Sequence, residues 1–326
     1  MQATRPSVAV FQEAEIVNAI TLDEQLVTTI SNAFACLSHG GVCMPPPMQL
    51  MALHYNGQTC IKGALIPGLD FFAVKLSSIY PRHPDATAAE SNGMFALIEC
   101  ATGRVRACLL DNGYLTQLRT AAAGALAAKY LAPTCVETIG IIGAGKQALW
   151  QIRAAYLVRP FKRAIIWSRR VEQSNLLAEQ VQSLLPISVT VATTVEQAVS
   201  PAQLVVTTTA SRTPLLTDSN LHPNLHITAM GSDAKGKREL SDALLRNVDI
   251  YIADDLDACR LHGELQTLRE AELALVTTLG DVISGKEPGR TSDHQMTVSD
   301  LTGVGAQDTA IAVEAFQRLL GRNQVN

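Results

Sequence analysis

Val136-Glu137-Thr138-Ile139-Gly140-Ile141-Ile142-Gly143-Ala144-Gly145-Lys146-Gln147-Ala148 decides how the rest of this chain is read. A short run rich in β-branched residues leads into a G-x-G-x-x-A turn. Apolar residues of helical period follow from about Gln147 to Leu157. Strand, glycine turn and helix in this order are the signature of a dinucleotide-binding fold. Gly143 permits the tight turn, Gly145 removes the Cβ that would block a pyrophosphate, and Ala148 lets the helix pack close to the strand. The first turn of that helix then offers its free N–H groups to the phosphates. Ala144, Lys146 and Gln147 complete this part of the candidate cofactor contact.

Arg163-Ala164-Ile165-Ile166-Trp167 reads as the next strand, and Ser168-Arg169-Arg170 follows it. An NAD-selective site usually carries Asp or Glu at this strand end to bind the ribose 2′-hydroxyl, whereas Arg accommodates a 2′-phosphate. No acid is present there. Ser168 can donate to a phosphate oxygen, and Arg169 can stack on adenine while pairing with the phosphate. NADP(H) is therefore favoured, with NAD(H) possible. The competing reading is two solvated arginines.

Working outward, the alternation of strands and helices continues. Strands are expected near 137–142, 164–168, 188–191, 203–207, 226–230 and 249–253, which together describe a doubly wound parallel sheet of Rossmann type. Thr208, beyond the fourth strand, and Met230, Gly231 and Ser232, at the end of the fifth, join the cofactor candidates. The preceding part of the chain is of another kind. From Ile16 to His39 the apolar spacing is helical, and Gly40-Gly41 stops it. Strand-like runs occupy Met48 to Tyr55, Cys60 to Leu65, Phe71 to Ser77, Gly93 to Glu99 and Val105 to Leu110, with Asn56-Gly57 as a hairpin turn. This block reads as an α+β domain with an antiparallel or mixed sheet. Thr116 to Leu131 is an Ala-rich helix ended by Pro133. Gly285 to Asp293 is a connector, and Leu301 to Leu320 becomes helical and is expected to return to the N-terminal domain. The expected division is 1–132 with 301–326 against 133–300.

Composition narrows the partners. Hydrophobic residues form 47% and charged residues 17% of 326 positions, with a net charge of -4. The chain can bury a large core and some subunit interface as well. Nucleic acid is not expected as a partner. No apolar run approaches the ~18–20 residues of a membrane span, and Glu13 and Glu15 stand where a signal peptide would be apolar. The seven cysteines, at 36, 43, 60, 100, 108, 135 and 259, lack C-x-x-C or paired C/H spacing. Neither a disulfide framework nor a metal site is expected, which fits a cytoplasmic protein.

Three charges lie in apolar surroundings, where an unpaired charge is costly. These are Lys75 in Phe71-Phe72-Ala73-Val74-Lys75-Leu76, Arg119 on the Ala-rich helix, and Asp233 after the strand Ile227-Thr228-Ala229-Met230-Gly231. Asp233 thus stands at the carboxyl end of a parallel strand, where open α/β sheets bind ligands. Each could equally be a satisfied structural charge.

Arg119-Thr120-Ala121-Ala122-Ala123-Gly124, the glycine turn, Gly231-Ser232-Asp233 with Gly236-Lys237-Arg238-Glu239-Leu240, and Thr302-Gly303-Val304-Gly305-Ala306-Gln307-Asp308 together resemble the ornithine cyclodeaminase/mu-crystallin family. Counted from Lys75, the matches run in family order over about 230 residues. Asp111-Asn112-Gly113-Tyr114-Leu115-Thr116 also looks like the branch associated with ectoine use. The resemblance implies a homodimer built from a substrate and dimerisation domain, a Rossmann domain and a C-terminal helix that rejoins the first. Lys75 and Arg119 match positions that bind the substrate carboxylate and amine, and Asp233 matches the acid that binds the amine or transfers its proton. Family members usually carry Arg just after the proline-rich turn, whereas Met48-Gln49 stands here, so Gln49 becomes the candidate contact. Asn92 completes the candidate substrate set. The activity implied is NADP(H)-preferring reduction of an imino acid or cyclic ketimine, such as a pyrroline-2-carboxylate. The rivals are an ornithine cyclodeaminase-type ammonia-lyase with catalytic NAD and a mu-crystallin-like binding protein.

Overall fold

The computed structural model describes residues 7–80, 91–272 and 276–323. The chain divides into two compact units, residues 1–119 with 304–326, and Thr120–Gly303.

In the first unit, β1 (Ala9–Gln12) precedes α1 (Glu13–Ala19) and α2 (Glu24–His39). Strands β2 (Met48–Ala52), β3 (Gly57–Ala64), β4 (Phe71–Ile79), β5 (Ser91–Glu99) and β6 (Val105–Leu110) then form a meander. The sheet order is β1-β6-β5-β4-β3-β2. Its pairs are antiparallel except β1 with β6, so the sheet is mixed. Residues of one face, among them Ala73, Lys75, Phe95, Leu97, Ala107 and Leu109, are buried. This is the period-2 alternation of a one-sided sheet. Helix α10 (Gly305–Asn323) packs against α2, β3 and β4. The Phe316 ring meets Phe11 and Phe71 edge-on at centroid distances of 6.3 and 5.6 Å. The approach is close. A Cβ on Gly305 would stand 2.6 Å from Gly63 O.

The apolar run Ile16 to His39 forms two helices rather than one. Ile20 is extended, and Asp23 caps α2 by accepting from Leu26 N at 2.7 Å. The capping side chain offers the chain a restart that apolar spacing does not reveal. The β2–β3 turn likewise takes four residues, Leu53 to Asn56, with Asn56 at φ +49° and Gly57 already in β3.

In the second unit the parallel strands are β7 (Thr138–Ile142), β8 (Arg163–Trp167), β9 (Ser188–Val191), β10 (Leu204–Thr207), β11 (His226–Ala229), β12 (Ile250–Ala253), β13 (Val276–Thr278) and β14 (Thr297–Asp300). Their order is β13-β12-β14-β11-β10-β7-β8-β9, a doubly wound sheet whose order reverses at β7 and β10. Helices α4 (Lys146–Val158), α5 (Val171–Leu184) and α6 (Val195–Val199) connect β7 through β10. The short helices α7 (Asp242–Arg246), α8 (Leu256–His262) and α9 (Leu279–Ile283) follow. Strand β14, between β11 and β12, is absent from the sequence reading because Thr-Val-Ser-Asp lacks a strand's apolar signal. Its polar side chains are nevertheless buried. Thr297 Oγ1 donates to Leu131 O at 3.0 Å, and Asp300 Oδ2 accepts from Tyr251 Oη at 2.5 Å. Helix α3 (Tyr114–Leu131) begins in the first unit and ends in the second.

Candidate functional site

In the first unit, Lys75 and Arg119 converge on Asp308. Strand β4 points Lys75 toward α10, and its Nζ donates to Asp308 Oδ1 at 2.9 Å. Arg119 Nε lies 3.1 Å from the same oxygen, and its Nη1 donates to Gln307 Oε1 at 3.3 Å. All three charged side chains are almost fully buried. Burial lowers the Lys75 pKa to about 8. Arg119 and Lys62 push the same way, and Asp308 opposes them. Burial alone would raise the Asp308 carboxyl, but Lys75, Arg119 and Lys62 outweigh it and hold the pKa below the usual value. Asp308 Oδ2 is buried and accepts no hydrogen bond from the described residues.

The local chain explains how these groups are held. Asp111 is wholly buried, and its Oδ2 accepts from Leu115 N at 2.9 Å. It therefore caps the helix that carries Arg119. Burial raises its pKa to about 6. On α10, Thr309 Oγ1 donates to Ala64 O at 2.7 Å and accepts from Ala73 N at 3.1 Å, tying the helix between β3 and β4. In the sequence Asp308 stands out only as part of the Thr302 to Asp308 motif. The available signal is a carboxylate inside the apolar pattern Val304 to Val313. Lys62 also faces this side, directly across from Lys75 in register.

The two other substrate candidates lie elsewhere on the sheet. Gln49, paired with Cys60, shares the Lys75 face but sits exposed on the edge strand. Asn92 pairs with Ser78, an odd number of positions from Lys75, so alternation places it on the opposite face. There it borders an open cleft of about 600 Å³ with Leu76, Ser78, Met94, Leu110 and Asn112.

The second unit carries the glycine turn. Gly143 has φ +120°, and a Cβ there would stand 2.6 Å from Thr208 Oγ1, so the first glycine and the end of β10 are in contact. Gly145 is the N-cap of α4 without a side-chain cap, and a Cβ there would meet nothing within 4 Å. Open space beside uncapped N–H groups is the cradle a pyrophosphate fills. Ala144 and Gln147 are half-buried and Lys146 is exposed beside it. Gln151 Nε2 donates to Gln147 Oε1 at 3.2 Å and to Thr120 O at 3.0 Å. Gly124 leaves the room its side chain needs.

At the end of β8, Ser168 Oγ donates to Arg170 O at 2.8 Å and lies 2.8 Å from Ser174 Oγ, so this hydroxyl shapes the turn. Arg169 and Arg170 are exposed. Beyond β11, Met230 N donates to Thr207 O at 3.1 Å, and buried Ser232 donates to Lys237 O at 2.8 Å. Asp233 pairs with Lys237 at 2.6 Å, with its side chain 47% exposed. It belongs to the second unit, whereas Lys75, Arg119 and Asp308 belong to the first. Among the described residues, no group of three or more His, Cys, Asp or Glu could hold a metal ion.

The chain belongs to the ornithine cyclodeaminase/mu-crystallin family, whose model matches residues 7–323. An uncharacterised cyclodeaminase of Sinorhizobium fredii is 43% identical over 96% of both chains. The iminosuccinate reductase of Paracoccus denitrificans is 34% identical over 93% of this chain and 94% of its own. Its structure with NAD+ superposes with a TM-score of 0.88, 31% identity and 97% coverage of both chains. An archaeal alanine dehydrogenase dimer with bound NAD has a TM-score of 0.89 at 28% identity, again over 97% of both chains. Among the described residues, no helix is long and apolar enough to cross a membrane.

Proposed function

We propose that this chain is an oxidoreductase that reduces a 2-imino acid or a cyclic ketimine acid, such as a pyrroline-2-carboxylate, to the amino acid, with NADPH preferred. One observation carries the substrate class. Two buried cations, Lys75 and Arg119, share one carboxylate oxygen of Asp308. Two cations on one carboxylate oxygen leave positive charge at Lys75 and Arg119 that favours an anionic ligand beside them. A substrate carboxylate supplies that anion.

When bound, reduced nicotinamide supplies the hydride. Arg119 presents a planar fork suited to a carboxylate, and Lys75 adds a point charge that anchors the substrate and steadies charge developing in the reaction. Asp233, at the exit of a parallel strand, is the candidate carrier of the proton that the substrate nitrogen takes up. Gly143, Ala144, Gly145, Lys146 and Gln147 would hold the pyrophosphate, Thr208 and Met230 to Ser232 the nicotinamide side, and Arg169 the 2′-phosphate. Exposed Met48, Leu50, Met51, Leu53 and Tyr55 on and beside the edge strand support association with a second copy.

The S. fredii relative's name supports a second reading, a cyclodeaminase that oxidises a diamino acid, releases ammonia and recovers its hydride. One experiment separates them. NADPH and NADH oxidation is followed with pyrroline-2-carboxylate, iminosuccinate, or pyruvate plus ammonia, and ammonia release is followed with ornithine and NAD+. Stoichiometric NADPH loss with an imino acid supports the reductase. Ammonia release without net dinucleotide consumption supports the lyase, and inactivity in every arm with retained NADPH binding supports a mu-crystallin-like binding role.

A further inference from the structure

Strands β10 and β11 end side by side, with Thr207 opposite Ala229. The chain leaves each strand through irregular segments, so Thr209 and Gly231 have no ladder partner for their N–H groups. Glu239 takes both. Its Oε1 accepts from Thr209 N at 2.6 Å, and its Oε2 accepts from Gly231 N at 2.8 Å and from Thr207 Oγ1 at 2.6 Å. One side chain thereby binds the two exits to each other.

The acid is itself held. It is wholly buried. Glu264 accepts from Glu239 N at 2.9 Å and from Leu240 N at 3.1 Å, and Leu216 N donates to Glu239 O at 3.0 Å. A Cβ at Gly231 would collide with Thr209 O and the Glu239 carboxylate, so both exits pack directly on this group. A buried carboxyl group whose two oxygens take three donors ties both exits to one fixed side chain, while burial raises its pKa.

In a doubly wound sheet, the strands on either side of the order reversal serve the two halves of a dinucleotide. The glycine turn after β7 and the arginines after β8 belong to the adenosine half, which leaves β10 and β11 with the nicotinamide half. We infer that Glu239 is a positioning residue for the nicotinamide half of the cofactor, fixing Thr208 and Met230 to Ser232 through the exits it clamps. The inference rests on the dinucleotide reading of this site.

Ligand titrations on the full chain test it, with two probes: NADPH and 2′-phospho-ADP-ribose, which lacks nicotinamide. Glu239→Gln replaces an acceptor with an amide that can turn its own N–H toward a donor. It should weaken NADPH about tenfold or more while binding of 2′-phospho-ADP-ribose stays close to wild type. Thr207→Val removes one donor and keeps the acid, so it gives a smaller loss of the same kind even if Glu239→Gln does not fold. Thr207→Ser should restore binding. Equal weakening of both probes would show general support of the fold and overturn the inference, as would unchanged NADPH affinity in both Glu239→Gln and Thr207→Val. A wild-type protein that binds neither probe, and neither NADH nor ADP-ribose, overturns the dinucleotide reading as well.

Discussion

Lys75 donates to Asp308 at 2.9 Å across 233 positions of sequence. The strand that carries the cation and the helix that carries the anion meet through side chains that solvent does not reach. With Arg119 on the same oxygen, one carboxylate is the ion-pair partner of two buried cations. Its loss leaves those charges facing one another.

Asp308→Asn is therefore expected to cost roughly 3–5 kcal/mol, the range for breaking a buried pair from one side. Urea unfolding of the variant and the wild type measures it, and an unchanged midpoint at equal slope would rule out the pairing.

The Lys75 pKa of about 8 sets a pH dependence. Below 8 the ammonium is charged in both folded and unfolded chains, and stability does not vary through this group. Between about 8 and 10.5 the unfolded chain holds the proton that the folded chain has released, so this group's contribution to stability rises with pH. Substrate binding moves the other way, because the anchoring charge disappears above about 8. KM for an imino acid is expected to climb there while NADPH affinity stays level. In Lys75→Arg the climb should vanish. A KM limb that persists in Lys75→Arg assigns it to another group.

What the sequence made legible is the part whose cause is local. β7, the glycine turn, α4 and β8 can be read because strand period, glycine placement and helix period all lie within about thirty consecutive residues. Lys75 and Arg119 were visible as charges in apolar surroundings, but their partner was not, since nothing near either residue points to position 308. β14 was hidden because its polar residues are made inner ones by distant partners such as Leu131 and Tyr251. The face on which Asn92 lies was hidden for a simpler reason. Whether a strand residue shares a face with Lys75 depends on register, and register is set by pairing across the sheet.

Arg169→Ala is expected to weaken NADPH by roughly 1.5–3 kcal/mol, the worth of a hydrogen bond to a charged group, and NADH far less. Parallel titrations of both cofactors read the difference. Equal losses, or a wild-type preference for NADH, would reject the 2′-phosphate contact.

Asp233→Asn keeps the shape of an exposed side chain and removes its charge. Turnover should fall about 10²-fold or more if the group carries the proton, with melting temperature and NADPH affinity unchanged. Turnover close to wild type in the folded variant would confine Asp233 to its ion pair with Lys237.

The return of α10 to the first unit has a consequence for biosynthesis. Domains usually fold in the order in which they leave the ribosome. Here residues 7–119 emerge first, yet their unit lacks its last helix and the counter-charge of two cations until residues 304–323 have been made. Thr120–Gly303 is continuous in sequence and can close while the earlier segment waits. Residues 7–119 are thus completed only after Thr120–Gly303 has been made, and until then the face of the mixed sheet that α10 covers stays open.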